Sequence, residues 1–170
     1  MIVPHRTEIM PRTLLALFFA AFAVSLSGCA AVSPVTSGMD EMQVHSRLGK
    51  PETVRKNSDG SETWEYPTGP LGRQTYMVTL APDHAVTDVR QVLSEEYFLK
   101  VILGMSREDV RGPLGRPGEI SMFPARDEEV WSWRYEAQNP MFFNVLFDRT
   151  AGTVRSTQRQ EEVRPEAGNC

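Results

Sequence analysis

The segment Gly38-Met-Asp-Glu-Met-Gln-Val-His-Ser-Arg-Leu-Gly-Lys-Pro51 returns 66 residues later as Gly104-Met-Ser-Arg-Glu-Asp-Val-Arg-Gly-Pro-Leu-Gly-Arg-Pro117. Gly, Met, Val, Leu, Gly and Pro coincide at constant offset, and Lys50 meets Arg116. Further on, Trp64-Glu-Tyr66 answers Trp133-Arg-Tyr135, Met77-Val-Thr-Leu80 answers Asn144-Val-Leu-Phe147, and Val86 answers Val154. The order holds while the offset drifts by a few residues, as loop insertions cause. The chain carries a duplicated unit.

Each part of the repeat has a local meaning. Asp40 and Ser106 can cap a helix by accepting from a backbone N–H two or three residues on, with Gln43 and Asp109 placed for a capping box. Val44 with Leu48, and Val110 with Leu114, share one helical face at i and i+4. Gly49 and Gly115 supply a left-handed stop, and Pro51 and Pro117 prevent continuation. Pro113 is expected to shorten or distort the second helix. Between the copies, Ser94 is placed to cap a further helix over residues 95–103, with Tyr97 and Val101, and Phe98 and Ile102, as apolar pairs.

Strands follow each helix. Asn57 to Gly60 is a turn signal before residues 61–66. Trp131, Trp133 and Tyr135 alternate with Ser132 and Arg134. Loops lead into residues 75–80 and 141–148, and a last strand begins near Val86 or Val154. The expected fold class is α+β, two tandem helix-helix-three-stranded antiparallel sheet units, with one sheet face buried and one open.

Working outward from the repeat, the first 28 residues do not read as part of a domain. Arg6 and Arg12 precede an apolar run over residues 14–26, followed by Ser27, Gly28 and Cys29. Thirteen residues span about 20 Å as a helix, too short for a hydrocarbon core of about 30 Å. The run reads as a signal peptide. Met10 also opens a well-shaped signal and is an alternative start. Lipid attachment at this place requires a thiol, and Cys29 supplies one. The other reading makes Cys29 a chance residue beside an ordinary cleavage site. The expected organisation is a signal peptide over 1–28, a lipidated cysteine and tether over 29–37, units over 38–93 and 94–157, and a disordered tail over 158–170.

The 170-residue chain has 18 Lys and Arg against 22 Asp and Glu. Loss of Arg6, Glu8 and Arg12 with residues 1–28 leaves 142 residues and a net charge of −5. With no basic block, nothing points to nucleic acid. Cys170 is the one other cysteine, so a lipidated Cys29 leaves no intrachain disulfide. Only His45 and His84 remain after cleavage, without a cysteine or an elbow serine to activate. Glu95-Glu96 and Asp127-Glu128-Glu129 are acidic, yet lack the loop spacing of a calcium site. No phosphate loop or dinucleotide motif is present. No catalytic residue, no metal ligand and no cofactor other than a covalent lipid on Cys29 is expected, and no small-molecule substrate.

The run Gly-Met-x-x-x-x-Val-x-x-x-Leu-Gly-x-Pro, then Trp-x-Tyr, then a strand and a Val turn, resembles the BamE/SmpA/OmlA family of outer-membrane lipoproteins. The match covers residues 38–89 and again about 94–157. Leu26-Ser-Gly-Cys29 is similar to the lipobox that precedes such domains. The resemblance implies cleavage before Cys29, anchoring by two or three acyl chains, and a helix-helix-three-strand unit that contacts envelope proteins. Ala30 behind the cysteine favours the outer membrane under the family's sorting rule. Two units stand where the best-known member has one, which puts membership of the barrel-assembly machine in doubt. The tandem layout resembles β-lactamase inhibitory proteins, an analogy of fold alone.

Trp64, Tyr66, Trp131, Trp133 and Tyr135 are expected in the core, because large rings contribute most to burying a small sheet. Phe142 and Leu146 alternate against Met141, Phe143, Val145 and Phe147, so both faces of that strand are partly apolar. Something should cover the second face, either the other unit or a partner. Phe142 and Leu146 are therefore the candidate partner surface. The expected function is a non-catalytic outer-membrane lipoprotein facing the periplasm and binding envelope proteins, in outer-membrane assembly or maintenance. The alternative is a protein inhibitor of a periplasmic hydrolase.

Overall fold

Asp40 and Ser106 start two helices in the same way. The Asp40 carboxylate accepts from the Gln43 N–H at 2.8 Å, and the Gln43 amide oxygen accepts from the Asp40 N–H at 3.0 Å. Ser106 and Asp109 repeat the exchange at 3.2 and 3.0 Å. These capping boxes open α1 (Glu41–Leu48) and α3 (Arg107–Leu114), each eight residues long. The structure is a computed structural model that describes residues 35–163. Cys29, the apolar run, residues 30–34 of the tether and Cys170 lie outside the described residues.

Between the helices come β1 (Thr53–Lys56), β2 (Glu62–Pro67), β3 (Thr75–Leu80), β4 (Val86–Gln91) and a one-turn helix α2 (Glu95–Phe98). After α3 come β5 (Glu119–Phe123), β6 (Glu128–Glu136), β7 (Pro140–Asp148) and β8 (Val154–Glu161). They form two four-stranded antiparallel sheets in sequential order, β1 to β4 and β5 to β8.

This corrects the expected fold class. The protein is mostly β, with few short helices, and is not a pair of helix-helix-three-strand units. Strands β1 and β5 were missed because Thr53-Val-Arg-Lys56 and Glu119-Ile-Ser-Met-Phe123 lie on sheet edges. Edge strands carry little buried apolar surface, so their pattern is weak. The helix expected over 95–103 stops at Phe98. Beyond it the bonds tighten to i→i+3, from Lys100 to Tyr97 and from Val101 to Phe98. Leu99, Ile102 and Leu103 are then exposed while Val101 stays buried. Pro113 does not shorten α3, because the helix ends one residue later. Gly49 and Gly115 do have φ of +76°, but with ψ of −154° and −167° they are not left-handed helical.

The sheets also fix the register of the duplication. Trp64 pairs with Val78, and Trp131 pairs with Val145; Tyr66 pairs with Tyr76, and Trp133 with Phe143. Trp64 and Tyr66 therefore correspond to Trp131 and Trp133, two residues earlier than Trp133 and Tyr135. Both sheets carry a register shift at the same place, between Thr79 and Leu80 and between Leu146 and Phe147. Asp40 bridges Ala85, as Ser106 bridges Thr153.

Two cores result. Val44 packs on Trp64, Tyr66, Val78, Leu80 and Val86. Val110 and Leu114 pack with Phe98 on Trp131, Trp133, Phe143, Val145 and Phe147. Met77, Val92 and Leu93 belong to this second core, although they follow from the first repeat. Met77 points out of the opposite face of the first sheet from Trp64, so that face rests on the helices of the second repeat. The layers run α1, first sheet, α2 with α3, second sheet. Val35 is also buried with the first core, and the Ser37 hydroxyl donates to Thr87. Val35, expected in the tether, is thus packed, while Thr36 and Ser37 stay exposed. At the other end β8 reaches Glu161, so residues 158–161 of the expected tail are paired strand.

Candidate partner-binding face

Period-2 alternation decides which side chains the second sheet leaves open. On β6, Glu129, Trp131, Trp133 and Tyr135 are buried beneath the helices, and Val130, Ser132 and Arg134 point the other way. On β7, Phe143, Val145 and Phe147 point in, and Phe142, Asn144 and Leu146 point out. Phe142 and Leu146 are half-buried. Phe142 lies opposite Arg134, whose guanidinium sits 4.7 Å above the ring centroid. Leu146 lies between Val130 and Ser156.

Phe142, Leu146 and Val130 line a trough of about 470 Å³, with Phe123, Ser121 and Gln158. Its rim is polar. Arg126 reaches Glu128 at 3.1 Å and covers the Phe123 ring at 4.5 Å. Among the described residues no α-helix lies on this face, and the one-turn 3-10 helix Pro124–Arg126 stands at its rim. Phe123 and Val130 were missed as members of it. Their signal was the alternation of β6 and the unrecognised strand β5, which brings Phe123 opposite Glu128. Ser132, Asn144 and Gln160 line it as well, so Phe123, Val130, Phe142 and Leu146 are apolar side chains set in a mostly polar trough, a mixture that protein-binding surfaces share.

The titratable residues go elsewhere. Glu95 is held by Arg159 at 2.6 Å and by the Tyr135 hydroxyl at 3.2 Å. The hydrogen bond from Arg159 keeps its carboxyl below the usual range against the opposing effect of burial. Glu96 pairs with Lys100 at 3.0 Å, and Asp127 accepts from Thr150 at 3.0 Å. Glu129 is buried; burial alone would raise its pKa, but Arg107 Nε at 2.9 Å and Trp131 Nε1 at 2.6 Å bring it below the ordinary value. The acidic clusters are thus divided among separate ion pairs. His84 Nδ1 lies 2.9 Å from Glu41, and His45 Nε2 lies 3.7 Å from the same carboxylate. The His45 ring also rests 4.8 Å from that of Trp64. Among the described residues no three His, Cys, Asp or Glu side chains gather as a metal set, and no helix is long and apolar enough to cross a membrane.

No family model matches the chain, and no curated protein does. Solved structures give distant likenesses. An extracellular protein containing an SCP domain from Bacillus anthracis is 13% identical, at a TM-score of 0.33; the alignment covers 95% of this chain and 50% of that one, so the chain spans about half its length. A DUF4309 family protein from Bacillus subtilis is 18% identical at a TM-score of 0.29, covering 78% and 84% of the two chains. A Streptococcus mutans protein described as a candidate β-lactamase inhibitor is 13% identical at a TM-score of 0.30, covering 88% and 96%.

Proposed function

We propose that the protein is a non-catalytic lipoprotein, anchored through Cys29 at the periplasmic face of the outer membrane, that binds another envelope protein with the open face of its second sheet. One observation carries the binding role. The face of the first sheet that bears Met77 is buried under the helices of the second repeat. The corresponding face of the second sheet bears Phe142, Leu146 and Val130, and among the described residues no α-helix packs on it. Among the described residues, this docking position is filled on the first sheet and open on the second.

The anchor rests on the order Leu26-Ser-Gly-Cys29 behind an apolar run. Val35 is already packed, so five residues, 30–34, and six Cα–Cα steps separate Cys29 from the domain. At about 3.4 Å per residue they reach about 20 Å, which keeps any partner close to the membrane surface.

The test is photo-crosslinking in cells from position 142, with exposed Lys56 as the control position. A discrete envelope-protein adduct from 142, absent from 56 and lost in a Leu146→Glu background, supports the reading. Subunits of outer-membrane assembly would fit the proposed role, and a single soluble hydrolase would mark the protein as an inhibitor instead. Equal adducts from both positions would overturn the binding face. Separately, a Cys29→Ala variant that still sediments with membranes would overturn the anchor.

A further inference from the structure

A cavity of about 220 Å³ lies where the β2–β3 loop meets the segment after α3. Pro70 and Gly72 come from the loop, Arg116 and Gly118 from the segment, and Trp133 and Arg134 from β6. The close approach is built in, because a Cβ on Gly118 would fall 2.9 Å from the Pro70 carbonyl oxygen.

Trp133 is 1% exposed, and its indole N–H has no partner among the described residues. The other two tryptophans are satisfied. Trp64 donates to Glu62 at 3.0 Å and Trp131 to Glu129 at 2.6 Å. Tyr66, which corresponds to Trp133 in the first repeat, donates to the Gly49 carbonyl at the end of α1 at 3.4 Å. The second repeat therefore keeps a donor at this place and lacks the acceptor. A buried donor without an acceptor is costly, and each one in a native structure asks for an explanation, a bound partner among them.

The charges nearby say what that is. Arg116 and Arg134 both line the cavity, against the single carboxylate of Glu52. Arg134 is engaged by the Pro70 carbonyl at 3.1 Å and by Glu162 at 3.3 Å. Among the described residues the Arg116 guanidinium has one partner, Glu52 at 2.6 Å, and its side chain is 57% exposed. Its donors exceed what one carboxylate oxygen uses. We infer that this cavity binds a carboxylate, one oxygen accepting from the Trp133 N–H and the group pairing with Arg116. A neutral carbonyl would serve the indole and leave the guanidinium unchanged. The volume exceeds the roughly 30 Å³ share of one water several times over. It suits a small free acid or the C-terminus of a peptide, and both present the same group.

The experiment follows the three indole N–H signals of the ¹⁵N-labelled full chain in detergent micelles. Sodium acetate, trialanine as its free acid, and trialanine amide are titrated in turn. The Trp133 signal is expected to move with acetate or with the free acid, and at least tenfold more weakly with the amide. Tighter binding of trialanine acid than of acetate assigns the cavity to a chain terminus, and binding of acetate alone assigns it to a free acid. Arg116→Gln should weaken binding about tenfold while the Trp64 and Trp131 signals stay in place, showing the fold intact. A Trp133 signal that moves with no carboxylate, or one that moves equally in the Arg116→Gln chain, overturns the proposal.

Discussion

The Glu65 carboxylate accepts a hydrogen bond from the backbone N–H of Arg116, 2.6 Å away across the junction of the two repeats. Glu65 shares the buried face of the first sheet that bears Met77, its cross-strand partner, and is 4% exposed. Arg116 follows the Gly115 stop of α3, where the last carbonyls of the helix, and the N–H of the residue that leaves it, need partners beyond the helix. One buried acid thus receives the end of the helix that the second repeat places against it. Arg55 works alongside, donating to the Gly112 carbonyl at 3.0 Å.

Replacing Glu65 with Ala should therefore destabilise by about 1–3 kcal/mol, the cost of leaving a buried donor unpaired. Glu65→Gln keeps an acceptor oxygen and should lose less. Urea midpoints for the two variants check the order. Equal losses would mean that the side chain's bulk matters and its oxygen does not.

Gly115 and Gly49 share a φ of +76° but differ in surroundings. A Cβ at Gly115 would lie 2.8 Å from Glu65 Oε1 and 3.1 Å from Met77 Cε, whereas at Gly49 nothing lies within 4 Å. Gly49→Ala should cost about 1–3 kcal/mol from backbone strain alone. Gly115→Ala should cost more, because it also parts the two repeats. Thermal melts of the two single variants decide this, and a Gly49→Ala loss as large as that of Gly115→Ala would contradict the close packing.

What was legible in the sequence was the part set by short-range chemistry. The capping boxes at Asp40 and Ser106, the buried Val44, Val110 and Leu114, and the burial of all five repeat aromatics follow from residue type and spacing. The strand count was not legible, because β1 and β5 are edges with Val54, Ile120 and Met122 exposed. Three alternating rings at 131, 133 and 135 admit two alignments to Trp64 and Tyr66, and only the pairing with Val145 and Phe143 selects one. Glu62 and Glu129, each two residues before the tryptophan it accepts from, were a local signal for the right alignment. The stacking of one sheet on the next repeat's helices depends on tertiary packing and has no local signature. For the candidate face, Phe142 and Leu146 were visible as outward alternation, while Phe123 depended on β5.

Acid should loosen the fold through its buried and bridged carboxylates. Glu95 is lowered by its hydrogen bond from Arg159, and Glu162 by its hydrogen bond from Arg73. Glu129 is lowered because its bonds from Arg107 and Trp131 outweigh burial. A depressed folded-state pKa means that the unfolded chain takes up the proton first. The stabilisation is complete above the ordinary carboxylate value of about 4.5 and is lost as pH falls through the lower folded values. Urea midpoints at pH 6 and pH 3 should differ more in the parent chain than in Glu95→Gln or Glu129→Gln. An unchanged difference in both variants would remove these pairs as the cause.

Phe142 and Phe143 are neighbours in sequence and opposites in the sheet. Phe143 is fully buried, its ring 4.2 Å from that of Phe98. A glutamate there would place an unpaired charge in the second core, at a cost of several kcal/mol, against a total stability of about 5–15 kcal/mol for an ordinary domain. Phe143→Glu is expected to give an unfolded or aggregated chain. Phe142 faces the trough with the Arg134 guanidinium over its ring. A glutamate there exchanges a cation–π contact for an ion pair at a half-buried position, so Phe142→Glu should keep stability within about 1 kcal/mol of the parent. Circular dichroism and urea midpoints separate the two outcomes. If Phe142→Glu unfolds the chain as Phe143→Glu does, the outer face is structural core, and the surface proposed to receive a partner is not available to one.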